Sequence, residues 1–151
     1  MKSQTPAVLR TLADLVRINS VNPNYQAGVP EVEIIDFIEA FFRQRSISTQ
    51  RQVVKPKREN LIASIPGHDR QRRMIFEAHV DTVSVDGMTI SPFDPLIKHG
   101  RMYGRGACDT KGGLAAMMHA LATVAESTVK PPCDIWLVAT VDEEYAYRGV
   151  A

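Results

Sequence analysis

The part of the sequence that most constrains the fold is the run Ile-Trp-Leu-Val-Ala-Thr-Val at residues 135–141. An almost uninterrupted apolar run rich in β-branched residues is typical of a strand buried on both faces of a parallel sheet. It follows a helical pattern over residues 110–126 that places Leu114, Met118 and Leu121 on one side. Helical and apolar extended segments in alternation predict an α/β domain with a largely parallel sheet.

Other elements follow from periodicity and turn residues. The predictions are a helix from Thr5-Pro6, a loop over residues 19–30, a helix from Pro30, strands over 61–65 and 74–79, and a hairpin over 96–103. We find no internal repeat and no low-complexity segment, so we expect one layered domain.

Charge and composition limit the partners. The 18 Lys and Arg residues against 17 Asp and Glu residues give a formal net charge of +1, which offers no electrostatic basis for binding nucleic acid or an anionic membrane. The sequence has no apolar run of roughly 20 residues that could span a bilayer, and its start lacks the apolar core of a signal peptide. We therefore expect a cytoplasmic protein that binds a small molecule. The two cysteines, Cys108 and Cys133, have neither the number nor the spacing of a disulfide framework or a cysteine zinc site.

Three polar clusters lie where an α/β sheet places its functional sites, beyond the carboxyl ends of strands. The first is His79-Val80-Asp81, at the end of the strand predicted over residues 74–79. Residues i and i+2 of an extended segment point to the same side, so the two polar side chains can be neighbours. His79 is a candidate metal ligand with Asp81 as the carboxylate that orients it. The alternative is a structural histidine hydrogen-bonded to Asp81.

The second cluster surrounds Asp109 in Gly-Arg-Gly-Ala-Cys-Asp-Thr-Lys-Gly-Gly, residues 104–113, with four glycines in ten residues. The spacing matches neither a dinucleotide-binding nor a phosphate-binding loop. The glycines permit a tight backbone that holds Asp109 in a fixed direction, and one carboxylate can bridge two cations. The alternative is a flexible turn in which Asp109 caps the following helix.

The third cluster is Asp142-Glu143-Glu144, directly after the apolar run. Adjacent carboxylates raise one another's pKa, so they are costly near a buried strand unless they are paired or hold cations. One glutamate can bind a metal while its neighbour accepts a proton. The alternative is a solvated acidic turn.

A histidine and carboxylates at strand ends suit zinc, or cobalt or manganese in its place. His68, His99 and His119 are predicted to be structural.

These motifs resemble the zinc metallopeptidase family of acetylornithine deacetylase, succinyl-diaminopimelate desuccinylase, aminoacylase and the glutamate carboxypeptidases. The resemblance is carried by residues 15–23 (LVRINSVNP), 79–83 (HVDTV), 92–93 (PF), 103–113 (YGRGACDTKGG), 142–144 (DEE) and Gly149. It implies a three-layer α/β/α catalytic domain with a mostly parallel, mixed sheet.

The resemblance also implies roles for individual residues. His79 binds one of two zinc ions, Asp109 bridges both, and Glu144 binds the second. Glu143 is the general base that takes a proton from the activated water and returns it to the leaving amine, and Asp81 orients His79. A cis peptide bond is implied after the bridging aspartate, between Asp109 and Thr110.

Family members continue beyond the motifs present here, with a further acidic ligand, a lid or dimerisation domain and a late histidine. Residues 1–151 are therefore interpreted as the N-terminal part of a catalytic domain, with full-length relatives often homodimeric. We expect the strand over residues 135–141 to lack its neighbours and helix, and the chain alone to be weakly active or inactive. The predicted reaction is hydrolysis of an amide bond in an N-acyl amino acid or small peptide. The alternatives are a carboxypeptidase or aminoacylase, and a non-catalytic fragment of a split or decayed gene.

Overall fold

A computed structural model describes residues 5–150 of the chain. Its helices and strands are, in chain order, α1 (Ala7–Arg17), α2 (Val32–Arg43), β1 (Ser48–Lys55), β2 (Arg58–Ile65), β3 (Asp69–His79), β4 (Leu96–Lys98), β5 (Arg101–Tyr103), α3 (Lys111–Glu126), β6 (Cys133–Thr140) and α4 (Glu143–Ala146). The predicted helices, the two predicted strands, the hairpin and the apolar strand are all present. No helix within the described residues is long and apolar enough to cross a membrane.

The main sheet has four strands in the order β1-β2-β6-β3, and β4 and β5 form a separate hairpin. β6 runs parallel to β3, whereas β1 with β2 and β2 with β6 are antiparallel. The predicted α/β class and mixed sheet are confirmed, but the prediction of a mostly parallel sheet is wrong for the described residues. The reason is the β1–β2 hairpin, which turns at Lys57 with a positive φ of 62°. Its polar first strand carries no apolar pattern, and it was not predicted.

The helices pack on one face of this sheet. Leu61 of β2 lies opposite Ala139 of β6, and Ala63 lies opposite Leu137, so these four buried side chains point to the same side. They share one apolar core with residues of all three long helices, among them Leu15, Ile34, Phe42, Leu114 and Met118. Residues 5–150 thus form two of the three expected layers, namely the sheet and one layer of helices.

The apolar strand β6 has a neighbour on each side, so the expectation that it lacks strand partners is wrong. β3 is an edge strand, as is β1, and the Met74, Ile75 and Phe76 side chains of β3 are 50%, 56% and 43% exposed. Exposed apolar side chains are unusual on an edge strand that has no further strand or helix beside it. Parallel pairing of β3 with β6 sets His79 opposite Thr140, which brings the carboxyl ends of the two strands together.

Candidate metal centre

His79 stands at the end of β3 with its side chain largely buried. Its Nδ1 lies 3.0 Å from the main-chain oxygen of Asp81, and its Nε2 lies 3.1 Å from Oδ1 of Asp109. A carbonyl oxygen can only accept a hydrogen bond, so Nδ1 must carry the proton. In the neutral ring with this tautomer, Nε2 is unprotonated and can bind a metal. Without a cation, the Asp109 carboxylate beside Nε2 is also only an acceptor, so it favours the doubly protonated ring.

Asp109 reaches His79 from the loop between β5 and α3. Its side chain is 79% exposed, and the peptide bond between Asp109 and Thr110 is cis, as the resemblance implied. The loop requires glycine at position 106, where φ is +76° and an added Cβ would lie 2.8 Å from Cγ2 of Thr82. The glycine-rich loop thus lies directly against the segment that follows His79.

Glu143 and Glu144 begin α4, which Val141 and Asp142 separate from the end of β6 at Thr140. The chain turns from β6 into α4 at Asp142, whose φ of 67° lies in the left-handed region. A ligand atom of Glu144 lies within 4.8 Å of ligand atoms of both His79 and Asp109, and the three ligand atoms are mutually within that distance. The structure therefore brings together the three residues predicted from sequence as metal ligands.

Glu143 lies at the rim of this cluster. Its Oε2 is 3.8 Å from Nε2 of His79, and its side chain is about one-third exposed. The carboxylate is close enough to act on a group bound at the cluster, and it also faces open solvent. This placement is the one that a proton acceptor needs.

Asp81 contacts the site differently from the predicted arrangement. Its carboxylate oxygen is 3.7 Å from Nδ1 of His79, too far for a hydrogen bond, and the main-chain oxygen of Asp81 makes that contact instead. The carboxylate accepts hydrogen bonds from the main-chain N–H groups of Glu143 and Glu144, each at 3.1 Å. Asp81 therefore fixes His79 through its backbone and the two glutamates through its side chain.

A buried polar network behind the cluster was missed from sequence. Asn22 donates to the carboxylates of Asp81 at 2.7 Å and Asp142 at 2.9 Å. Arg58 pairs with Asp142 at 2.9 Å and with Glu31, and all of these side chains are buried. The available signals were Asn22 inside a motif of the resemblance and Asp142 inside the acidic triplet, but neither indicates a partner.

The surroundings of the cluster raise the pKa values of both Glu144 and His79. Burial raises the pKa of Glu144, and the nearby carboxylates of Asp109 and Glu143 raise it further, while His79 counteracts them. Burial acts to lower the pKa of His79, but the Asp81 carbonyl and the surrounding carboxylates outweigh it and the net pKa is raised. A bound cation would relieve this accumulation of negative charge.

The remaining histidines occupy structural positions. His119 in α3 makes a 2.8 Å hydrogen bond with the hydroxyl of Thr11 and packs against the ring of Phe41. Burial lowers the pKa of His119, and the charges of Arg45 and Arg10 lower it further. His68 and His99 are exposed in turns. These observations agree with the structural role predicted for all three.

The donor set of the cluster fits a divalent ion. One imidazole nitrogen and two carboxylates are ordinary zinc ligands, with bonds of about 2.0–2.2 Å. Ligand atoms around a tetrahedral ion with such bonds lie roughly 3.4 Å apart. The ligand atoms of His79, Asp109 and Glu144 are within 4.8 Å of one another, so small side-chain rotations would bring them to that spacing.

Comparison with known proteins identifies relatives of this chain. The model of peptidase family M20/M25/M40 matches residues 75–151, just over half of the chain. A probable succinyl-diaminopimelate desuccinylase of Staphylococcus epidermidis is 32% identical over 144 residues, covering 93% of this chain and 34% of the relative. An uncharacterised metallohydrolase of Methanocaldococcus jannaschii is 27% identical over 146 residues, covering 87% and 35%.

A solved structure shows the same architecture. The crystal structure of a tripeptidase from Staphylococcus aureus superposes with a TM-score of 0.73 at 25% identity, covering 94% of this chain and 38% of that one. With the family model matched across its metal-cluster motifs, the chain belongs to peptidase family M20/M25/M40. It spans about a third of the length of the curated relatives that it matches.

Proposed function

We propose that residues 1–151 are the N-terminal part of the catalytic domain of a metal-dependent amidohydrolase. The observation that carries the proposal is the convergence of His79, Asp109 and Glu144 within 4.8 Å at the carboxyl ends of two adjacent parallel strands. The three residues come from separate parts of the chain, and all three lie within the stretch matched by the family model. Zinc is the proposed ion, with cobalt or manganese as substitutes.

Two ions would be held by these three residues: His79 and Asp109 would bind one, and Asp109 and Glu144 would bind the second. The largely exposed carboxylate of Asp109, which lies within 4.8 Å of ligand atoms of both His79 and Glu144, supports Asp109 as the bridge. When bound, such ions lower the pKa of a water molecule and polarise a carbonyl oxygen. The protein's own part is to hold the ligands and to move a proton.

Glu143 is proposed as the general base. Its carboxylate lies beside the cluster, and the hydrogen bond from its main-chain N–H to Asp81 fixes its backbone. Glu143 accepts a proton from the attacking water and donates it to the amine that leaves when the amide bond breaks. Asp81 keeps both Glu143 and Glu144 in place, which supports its assignment to the catalytic group as a positioning residue.

The proposed substrate is an N-acyl amino acid or a small peptide. The name of the desuccinylase relative favours an N-acyl amino acid, and the tripeptidase neighbour favours a peptide; a carboxypeptidase or aminoacylase is the alternative within the family. Since relatives are about three times as long, we propose that residues beyond this stretch complete the metal ligands, the substrate pocket and a dimer interface. The protein is proposed to act in the cytoplasm.

One observation favours a second candidate, a fragment that is inactive alone. The exposed apolar residues Met74, Ile75 and Phe76 on the edge strand β3 indicate a surface that another segment covers. The isolated chain is therefore proposed to bind metal while turning over substrate weakly or not at all. Turnover comparable to that of a full-length relative would contradict this part of the proposal.

The decisive test is zinc content. We expect the purified chain to retain zinc through gel filtration and Asp109→Ala to lose it, because Asp109 contacts both proposed ions. Asp94→Ala is the matched control, since Asp94 is an exposed loop aspartate. Elemental analysis measures the metal, and circular dichroism checks the fold. Equal, negligible zinc in all three proteins would overturn the proposed function.

A further inference from the structure

Behind the metal cluster, residues 18–22 form a segment that we call the inner strap. It follows α1 directly, and its residues Ile18, Ser20, Val21 and Asn22 are between 0% and 8% exposed. The strap contacts the segments that carry all of the proposed ligands. Each contact is a hydrogen bond between elements far apart in the chain.

The first contact is with the loop of Asp109. Lys111, two residues further on, is 1% exposed, and its Nζ donates to the main-chain oxygen of Ile18 at 2.9 Å. The side-chain stem passes beneath Gly106, where an added Cβ would lie 3.1 Å from Cδ of Lys111. Burying an ammonium group is costly, so a lysine placed here must have a specific partner, and the strap supplies it.

The second contact is with the segment that follows His79. The N–H of Thr82 donates to the oxygen of Ser20, and the N–H of Asn22 donates to the oxygen of Thr82, both at 2.9 Å. Val21 and Thr82 form a parallel bridge. The strap therefore acts as a short extra strand that fixes the chain three residues after His79.

The third contact is with the segment of Glu143 and Glu144. The Asn22 amide nitrogen donates to Asp81 and Asp142, and its oxygen accepts two hydrogen bonds from Asn24 at 2.8 and 3.1 Å. These partners fix the orientation of the amide, with its donors toward the carboxylates. Asp81 then holds the two glutamates through their main-chain N–H groups.

We propose that the inner strap is the frame that sets the separation of Asp109, His79 and Glu144, with Lys111 and Asn22 as its positioning residues. The proposal rests on the proposed function, since it concerns the same cluster. The hydrogen bonds of both residues go to neighbouring segments and not to a ligand atom of His79, Asp109 or Glu144, so both act by holding the segments that carry the ligands. Supporting groups of this kind typically change metal affinity by about 10–100-fold when they are removed.

The test is titration of the full chain with Co²⁺, followed by calorimetry and by the visible absorption bands of the bound ion. Lys111→Met keeps the apolar stem and removes the amine. Lys98→Met is the matched control, because Lys98 is exposed in the β4–β5 hairpin. We expect Lys111→Met to weaken Co²⁺ binding by about tenfold or more and to change the absorption bands, and Lys98→Met to match the wild type.

A purely structural lysine would give a different result. Folded Lys111→Met with a lowered melting temperature but unchanged Co²⁺ affinity and spectrum would overturn the strap proposal while leaving the metal site intact. If the wild-type chain binds no Co²⁺, the proposed function fails and the strap proposal fails with it. Asn22→Ala is the independent second variant, and it is expected to change the same two readouts. If Lys111→Met does not fold, Lys111→Gln takes its place, and its Co²⁺ affinity and absorption spectrum are judged in the same way.

Discussion

Asp81→Asn tests how the buried carboxylate supports the site. The substitution keeps the shape but replaces one oxygen with an NH₂ group. In the structure one oxygen accepts from the N–H of Glu143, and the other accepts from the N–H of Glu144 and from Asn22. Whichever way the new amide turns, its NH₂ faces at least one N–H that then has no acceptor.

The cost can be worked out from these contacts. A buried donor without a partner costs about 1–3 kcal/mol, and weakening the remaining charge-assisted bonds adds roughly 1 kcal/mol. Removing one carboxylate from beside Asp142 and Glu31 offsets part of this. We expect the free energy of unfolding to fall by about 1–3 kcal/mol, measured by urea denaturation, with Asp94→Asn changing it by less than about 0.5 kcal/mol.

The same variant separates the two contacts of Asp81. The hydrogen bond to Nδ1 of His79 uses the main-chain oxygen, which the substitution leaves in place. Nitrogen NMR shifts should therefore show the same His79 tautomer in both proteins at neutral pH. A change in that tautomer, or a destabilisation below about 0.5 kcal/mol, would refute the assignment of the carboxylate to the glutamate N–H groups.

Two further predictions concern the loop and the pH dependence of stability. Gly106→Ala should destabilise the fold by about 1–3 kcal/mol more than Gly87→Ala in urea denaturation. Both glycines have positive φ, but only Gly106 would place its Cβ against Thr82; equal effects would contradict a steric role for the loop contact. Burial lowers the pKa of His119, so the unfolded chain binds its proton more readily. The contribution of His119 to the free energy of unfolding should therefore be fully present above the unfolded pKa of about 6.5. It should decrease as the pH falls below that value. His119→Gln should show a smaller decrease between about pH 8 and pH 5, and identical decreases would refute this linkage.

The sequence was sufficient to place the side chains of the proposed site on their local elements. Periodicity identified β3 and β6, and two polar residues were expected near their ends: His79, the last residue of β3, and Glu144, four residues after β6. The convergence follows from one geometric rule, since the carboxyl ends of adjacent parallel strands lie side by side. Asp109 was located by its glycine-rich loop.

The sheet topology was only partly predictable. The run of apolar residues on both faces identified β6, but such a run does not indicate whether the neighbouring strands are parallel or antiparallel. β1 has alternating exposed and half-buried residues with polar side chains on both faces, so the sequence carried no strand signal there. The direction of β2 is set by the hairpin that joins it to β1.

The sequence by itself determined the chemistry available: one imidazole, several carboxylates and a tight glycine loop, each at the end of a recognisable element. Tertiary structure decided which groups these side chains meet. Asn22 and Asp81 are 59 residues apart, and Lys111 and Ile18 are 93 apart, yet each pair is joined by a buried hydrogen bond. Local propensity contains no information about such partners, because a buried polar group is satisfied by whichever distant group the packed core brings within reach.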